Sequence, residues 1–237
     1  MMETFQMPQP VTEKSFKVSQ SFRVCVMLLT MACTYSTQVQ AARVVAMVGS
    51  MQINRGGLSE PVVVGTRLRQ GDEFASAPGA EAVVRFDDGA RMALRAESVL
   101  QVKALRQTGP LSKRKKAIRL VKGSLRYISA KVSQHHHVSF ETSTATIGIR
   151  GTDIEIAVAE ESINEEPSGT YLKVNTGLAT LTAGDGTLVS VDPGQVAFGG
   201  EPDLVPRGAG GVKRPSARKV AGSVGLFGVG SLDQLMK

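Results

Sequence analysis

Acid–base chemistry would need paired carboxylates, and the sequence offers Asp87 with Asp88 and Asp153 with Glu155. Asp153 and Glu155 are two positions apart in an alternating apolar stretch, so both would lie on one face of a strand, as a glycoside hydrolase pair requires. No histidine, cysteine or strained serine motif is close enough in sequence to complete a site, and nothing indicates an apolar pocket that would raise one pKa. We therefore predict that the protein is not an enzyme, with a carbohydrate-active enzyme as a minor alternative.

Metal binding would have to use the histidine run His135, His136 and His137. Neighbouring side chains in a strand point to opposite faces, so three consecutive imidazoles cannot all bind one metal ion. Thiolate ligands are excluded if the N-terminus is removed, because Cys25 and Cys33 both lie there. We predict a solvated strand start at the histidines, no metal site and no cofactor.

The first 41 residues have the pattern of a secretory signal peptide. Lys14, Lys17 and Arg23 precede an uncharged apolar run over 24–35, and small residues lead to Ala41, after which we expect cleavage. The run is shorter than the roughly 20 apolar residues that span a bilayer. A retained membrane anchor is the alternative. Export without disulfides suits a protein of the bacterial periplasm or cell envelope.

Charge is unevenly distributed along a chain whose formal net charge is +7. No acidic residue occurs between Glu97 and Glu141, and a basic loop is centred on Lys113, Arg114, Lys115 and Lys116. Its two interpretations are a solvated loop and a contact with an anionic cell-wall or membrane component. Nucleic acid is not an expected partner, since an exported chain seldom meets it and aromatic residues for base stacking are scarce near the loop.

The elements that must position these residues are predicted to be short strands. Alternating apolar positions separated by glycine and aspartate turns occur from Arg43 onward, as in the hairpin around Asp88 and Gly89. Similar segments begin at Gly49, Gly123 and Gly177, at unequal intervals. We predict an all-β domain over 42–200, built as a rolled or solenoid-like, antiparallel-rich sheet of short strands and hairpins. An N-terminal signal helix (1–41) and a flexible, largely disordered basic tail (201–237) complete the expected organisation.

A change of apolar phase marks one place in this pattern. Ile147 and Ile149 alternate in one phase and Ile154 and Ile156 in the other, with Arg150–Asp153 between them. Because side chains switch faces at every strand residue, the change requires a bulge or a corner.

The four residues of this corner have separate expected roles. Gly151 would permit the backbone to change phase, and Thr152 would begin the new strand. Arg150 would donate hydrogen bonds to carbonyls or to a carboxylate at the turn. This architectural role is favoured, and an exposed anion or partner contact through Arg150 is its rival.

Four segments in the same order resemble the FecR domain, over about Gly49 to Val196. They are "VGTRLRQGDEFASAPGAEAVVRFDDGARMALRAESVLQV", "IRLVKGSLRYIS", "FETSTATIGIRGTDIEIAV" and "LKVNTGLATLT", of which the part from Ala145 to Ile156 is the most specific. The resemblance implies an all-β periplasmic module without catalytic activity, which relays envelope signals or binds other envelope components.

We therefore predict a non-catalytic exported module for binding or signal relay in the cell envelope, whose partner is an envelope protein or an anionic surface. The alternative is a membrane-tethered regulator of sigma-factor type that retains the N-terminal apolar segment. About twenty residues precede that segment, which we expect to be too few for a cytoplasmic domain that grips a sigma factor.

Overall fold

The computed structural model describes residues 42–106, 115–130, 137–162, 166–201, 204–205, 212–213, 215–220, 226–228 and 230–236. These residues form strands and one short 3-10 helix, Asp233–Met236. The strands are β1 (Ala42–Val48), β2 (Met51–Arg55), β3 (Leu58–Pro61), β4 (Glu73–Ser76), β5 (Glu81–Phe86), β6 (Arg91–Leu94), β7 (Val99–Arg106), β8 (Lys115–Ile128), β9 (His137–Glu141), β10 (Ala145–Ala159), β11 (Gly169–Ala183), β12 (Leu188–Val191), β13 (Val196–Gly199), β14 (Leu204–Val205), β15 (Val212–Lys213) and β16 (Ala217–Val220). The predicted all-β class is confirmed.

One open sheet of 14 strands contains every strand except β14 and β15, which pair with each other. Its main path runs β16-β13-β11-β10-β9-β8-β7-β4-β2-β3. Strand β12 pairs with β11, while β1, β5 and β6 form a branch that joins the path at β8. The strands of β8 and β9 are parallel, and the other pairs are antiparallel, as the turn-rich sequence predicts.

The long strands of this sheet bend and change partners along their length. Strand β8 pairs with β7 through the residues before Gly123 and with β6 and β10 through those after it. Gly123 has a φ of +82°, and a Cβ there would overlap Ser98, so glycine serves both the bend and the close approach. Strands β10 and β11 change partners along their length in the same way.

The core lies against strands from both sides of these bends. Phe86 and Tyr127 pack edge to face at 6.0 Å between ring centroids, and Tyr127 and Phe140 do so at 5.1 Å. All three rings are fully buried. Burial of one such side chain stabilises the fold by roughly 1.5 to 3 kcal/mol. The core thereby holds together strands that are far apart in sequence.

The structure bears on two other expectations. A solenoid-like arrangement is not shown, and the described strands form an open sheet. The tail that we predicted to be largely disordered contributes β16, which pairs with β13, and the 3-10 helix, whose Met236 is 2% exposed. The predicted signal helix lies outside the described residues. Where the chain is described, no helix has the length and apolar character to cross a membrane.

Candidate functional site

The segment Arg150–Asp153 forms the predicted bulge. Arg150 pairs with Leu178 and Asp153 with Thr176, so the two residues Gly151 and Thr152 lie opposite a single residue on β11. This extra residue moves Ile154 into the same buried face as Ile147. The phase change in the sequence therefore arises from an irregularity in the register of two paired strands.

Two glycines make this bulge possible. Gly151 has a φ of +62° and Gly177, opposite it, a φ of +81°. A Cβ on Gly177 would overlap the carbonyl group of Gly151, whereas a Cβ on Gly151 would meet no atom within 4 Å. Gly151 is thus required for its backbone conformation, and Gly177 for conformation and space together.

Thr152 anchors the bulge to the neighbouring part of the sheet. It is 2% exposed. Its backbone N–H donates to Ser129 Oγ at 3.1 Å, and its carbonyl accepts from the Ser129 N–H at 2.8 Å. The bulge is therefore held on both sides, by Gly177 of β11 and by Ser129 after β8.

Arg150 does not have the architectural role that the sequence favoured. Its side chain is exposed, and within the described part of the chain no acceptor is found for its guanidinium. The carboxylate of Asp153, in the same segment, is bound by Arg126. Nε and Nη2 of Arg126 donate to its two oxygens at 2.9 and 2.6 Å. This bidentate hydrogen bond raises the pKa of Arg126 above its usual value.

A polar network continues from Asp153 along the same face of the sheet. Asn175 Nδ2 donates to Asp153 Oδ1 at 3.3 Å and to Glu155 Oε1 at 3.1 Å, and Lys173 Nζ lies 3.1 Å from Glu155 Oε1. Asp153 and Glu155 share a face, as predicted. Both are, however, engaged by cations and an amide, so the pair is arranged as a structural network.

The C-terminal residues cover this network. We call 226–228 and 230–236 the C-terminal segment. Arg95 Nη2 donates to Asp233 Oδ2 at 3.1 Å and lies 4.0 Å from Glu155 Oε2. Phe227 approaches Lys173, with 5.8 Å between Nζ and the ring centroid. A cavity of about 390 Å³ remains between the segment and the network.

The basic loop is divided between surface and core. Lys113 and Arg114 lie outside the described residues, and Lys115 is exposed. The prediction that Lys116 contacts an anionic surface is wrong, because this side chain is 2% exposed. Lys115 and Lys116 are consecutive residues of β8, so their side chains point to opposite faces of the sheet.

Lys116 instead forms a buried ion pair in the core. Its Nζ lies 2.6 Å from Asp88 Oδ2, donates to the Tyr127 hydroxyl at 3.0 Å and sits 4.3 Å from the centroid of the Phe86 ring. Asp88 Oδ1 also accepts from the backbone of Ala90 within the hairpin turn. Burial lowers the pKa of Lys116 and raises that of Tyr127.

Exposed cations nevertheless occur on β7, β8 and β10. Arg106 pairs with Lys115 and Lys115 with His137 in the register. Strands β9 and β10 pair as far as Ser139 and Gly148, and Arg150 follows two residues later in β10. We call Arg106, Lys115 and Arg150 the basic row. All three side chains are exposed, and His135 and His136 lie outside the described residues.

The sequence did not reveal which residues bind Asp153 or which distant side chains meet. Arg126 appears in the sequence as one cation of a long basic run, and Asn175 as one polar strand residue, so neither is marked as a partner of Asp153. Arg95 and Asp233 are 138 residues apart. The described residues contain no group of three or more histidine, cysteine, aspartate or glutamate side chains arranged to hold a metal ion.

Comparisons with known proteins identify one family. The model of a family described as FecR protein matches residues 72–196. No curated protein matches the sequence. Two crystal structures of a candidate anti-sigma factor from Parabacteroides distasonis ATCC 8503 are similar at 12% and 14% identity, each with a TM-score of 0.43. Each match covers 62% of this chain and 59% of the other, so it spans about three fifths of that protein's length.

Proposed function

Because the chain belongs to the FecR protein family, we propose that it is a non-catalytic module for binding or signal relay in the bacterial cell envelope. Membership of the family supports a regulatory role. The observation that carries the proposal is the display of Arg150 in the family's most specific segment. That side chain is exposed while the backbone on either side of it is anchored.

Anchoring gives the exposed arginine a defined position. Thr152 is buried and bonded to Ser129, and Gly177 packs against the Gly151 carbonyl. A rigid backbone reduces the conformational entropy that is lost on binding, which favours contact sites built on strands over those on loose loops. Arg150 is thus well suited to contact a carboxylate or another anionic group of a partner.

A role in catalysis has less support than a role in binding. The carboxylates of Asp153 and Glu155 are held by Arg126, Asn175 and Lys173. Their oxygens are occupied by these neighbours, whereas a general acid or base must reach the substrate. The arrangement therefore suits a stable surface better than proton transfer.

Location in the envelope rests on the N-terminal sequence. The pattern of basic residues, apolar run and small residues before Ala41 supports export and cleavage. The alternative remains a membrane-tethered regulator of sigma-factor type in which the run over 24–35 is retained. N-terminal sequencing of the protein from envelope fractions separates the two, since the exported form begins at Ala42.

The proposal is tested by removing Arg150 alone. In a strain that lacks the gene, complementation with Arg150→Ala should fail to restore the transcriptional response to envelope stress, although the wild type restores it. Arg85→Ala is the matched control, because Arg85 is also an exposed arginine on a strand but lies in β5, outside the basic row. Thermal unfolding of the purified variants checks that both fold normally.

The results separate a contact from a structural role. A lost response with unchanged unfolding in Arg150→Ala, and a normal response in Arg85→Ala, is the expected outcome. A normal response in both variants would overturn the proposal that Arg150 is the contact. An equal loss in both variants would show a general dependence on surface charge.

A further inference from the structure

The outer face of β5 and β6 carries a second, smaller apolar cluster beside the main core. Val83 and Ala93 point away from the main core, and both are nearly inaccessible to solvent. Met236 of the C-terminal segment, 2% exposed, packs on them. The partly buried neighbours that complete the cluster are Val45, Ala46, Ile128 and Leu232. The burial of this face thus depends on the C-terminal segment.

Polar groups flank this apolar patch and bind the same segment. Glu81 Oε2 accepts from Ser231 Oγ at 2.9 Å and from the Leu232 N–H at 3.1 Å. Arg95 donates to the Asp233 carboxylate at 3.1 Å. Further along, Arg91 Nη1 donates to the carbonyl of Leu235 at 3.0 Å. Together with the patch, these side chains form what we call the docking groove.

The segment can leave without breaking the sheet. It is not a strand of the sheet, and its polar contacts to the groove run through groove side chains rather than a backbone ladder. Arg95 already lies 4.0 Å from Glu155, so it would keep a carboxylate neighbour after Asp233 departs. The groove therefore has the properties of a peptide site that the protein occupies itself.

We propose that the docking groove binds a short peptide of a partner protein in which an acidic residue lies between apolar residues, and that the C-terminal segment occupies it until the partner displaces it. The chemistry follows from the bound segment: Arg95 selects the acidic side chain, the Val83 and Ala93 patch selects an apolar one, and Glu81 selects the backbone between. This proposal rests on the proposed function as a binding module. It adds the partner's chemistry.

Displacement of the C-terminal segment would also affect the segment Arg150–Asp153. Arg95 contacts Glu155, Asn175 bridges Glu155 and Asp153, and Arg126 holds Asp153. Phe227 of the segment lies over Lys173, another partner of Glu155. A partner that replaced the segment would therefore change the surroundings of the network that binds Asp153, next to the bulge.

The experiment uses the full-length protein and a fluorescein-labelled synthetic peptide with the sequence of residues 226–237, LFGVGSLDQLMK. The double variant Asp233→Ala/Met236→Ala removes the two side chains that seat the segment. It should bind the peptide at least about tenfold more tightly than the wild type, because an attached competitor acts at an effective concentration of the order of millimolar. Leu235→Ala is the control, since that side chain is 49% exposed, and it should bind like the wild type.

Two peptide variants test the chemistry. Replacing the aspartate by asparagine or the methionine by serine in the peptide should remove most of the binding. A folded double variant that fails to bind the unaltered peptide would overturn the proposal and leave the segment as a fixed part of the fold. Binding that survives both peptide substitutions would overturn the assigned chemistry.

Hydrogen exchange of the wild type covers the case in which the double variant does not fold. Amides of the C-terminal segment should exchange much faster than those of Val83 and Ala93 in the β5 and β6 ladder, because the segment opens independently. Equal protection of the two sets would overturn the proposal. These measurements do not involve the cellular response, so the docking groove and the proposed function can fail separately.

Discussion

Lys116 illustrates how the environment of one residue sets its role. Its ammonium group is surrounded by the Asp88 carboxylate, the Tyr127 hydroxyl and the Phe86 ring, and it has almost no access to solvent. An ion pair in such a site loses its hydration, and contacts with close partners offset this loss. Removing one partner is therefore more destabilising than replacing both. The lysine and its aspartate are therefore best regarded as parts of the core.

Lys116→Met should destabilise the protein by about 3 kcal/mol, because it leaves a buried carboxylate without its cation. The double variant Lys116→Met/Asp88→Asn should recover much of that loss, and asparagine retains an oxygen for the Ala90 N–H. Urea unfolding of the two single variants, the double variant and the wild type measures the coupling. Additive effects would contradict the buried pair.

The same lysine gives a pH dependence. Burial lowers its pKa in the folded state below the ordinary value of 10.5, so the unfolded chain binds more protons in the interval between the two values. Stability must then rise with pH across that interval. We expect the stability difference between wild type and Lys116→Met to increase as the pH approaches 10.5, measured by urea unfolding at several alkaline pH values. A difference that stays constant would contradict the lowered pKa.

Arg126 and Arg150 provide a second contrast at this scale. Arg126→Leu removes the bidentate partner of Asp153 and should cost about 1 to 2 kcal/mol, a value below that of a fully buried charged hydrogen bond because the pair is partly exposed. Arg150→Lys alters an exposed side chain and should change stability by less than about 0.5 kcal/mol. Thermal and urea unfolding compare the two. A larger loss in Arg150→Lys would restore the architectural role to Arg150.

At the scale of elements, paired irregularities bend the long strands. Strand β10 carries its bulge at Gly151 and Thr152, and β11 carries a second register shift at Asn175, close to Gly177. Bulges increase the local twist and let one strand change partners. The network of Arg126, Asp153 and Asn175 lies where the strands bend, so the bend and the polar face have one structural origin.

Gly177→Ala should destabilise the protein more than Gly186→Ala. The two glycines have nearly equal φ values, +81° and +84°, so the conformational strain of roughly 1 to 2 kcal/mol is common to both. A Cβ at Gly177 also overlaps the Gly151 carbonyl, whereas a Cβ at Gly186 meets no atom within 4 Å. Urea unfolding midpoints give the comparison. Equal losses would mean that the close approach of β10 and β11 does not contribute to the destabilisation.

At the scale of the whole molecule, the sheet carries two surfaces of different chemistry. In the basic row, Arg106 ends β7, Lys115 begins β8 and Arg150 lies within β10, while the docking groove lies over β5 and β6. Several cations in one row create a field that is screened over about 8 Å at physiological ionic strength. The two surfaces differ in chemistry, since the row is cationic and the groove combines apolar and polar contacts.

Binding of the protein to vesicles of anionic phospholipid should weaken steeply with salt and should be lost in Lys115→Glu/Arg150→Glu. The control Arg43→Glu/Arg85→Glu reverses two exposed arginines that pair across β1 and β5 and leaves the basic row unchanged. Vesicle flotation at low and high ionic strength measures the binding. An equal loss in the control would assign it to net charge instead of the row, and no binding of the wild type at low salt would exclude the surface altogether.

Local patterns sufficed to predict the strands, the hairpin turn at Asp88 and Gly89 and the bulge at Gly151. Strand alternation, turn residues and a phase change each depend on a few consecutive residues, so the sequence displays them directly. The same holds for the glycine corners at Gly123 and Gly177, both of which have positive φ. The family resemblance drew on the same local segments.

Tertiary structure decided which side chains meet. Lys116 and Lys115 are adjacent in sequence, yet the pleat of β8 sends one into the core and leaves the other exposed. Arg126, not the neighbouring Arg150, binds Asp153, because β8 lies next to β10. Asp233 reaches Arg95 across 138 residues of chain. Such contacts follow from the order and the bending of the strands. Both depend on packing of the whole core, so they produce no periodic pattern in a short stretch of sequence.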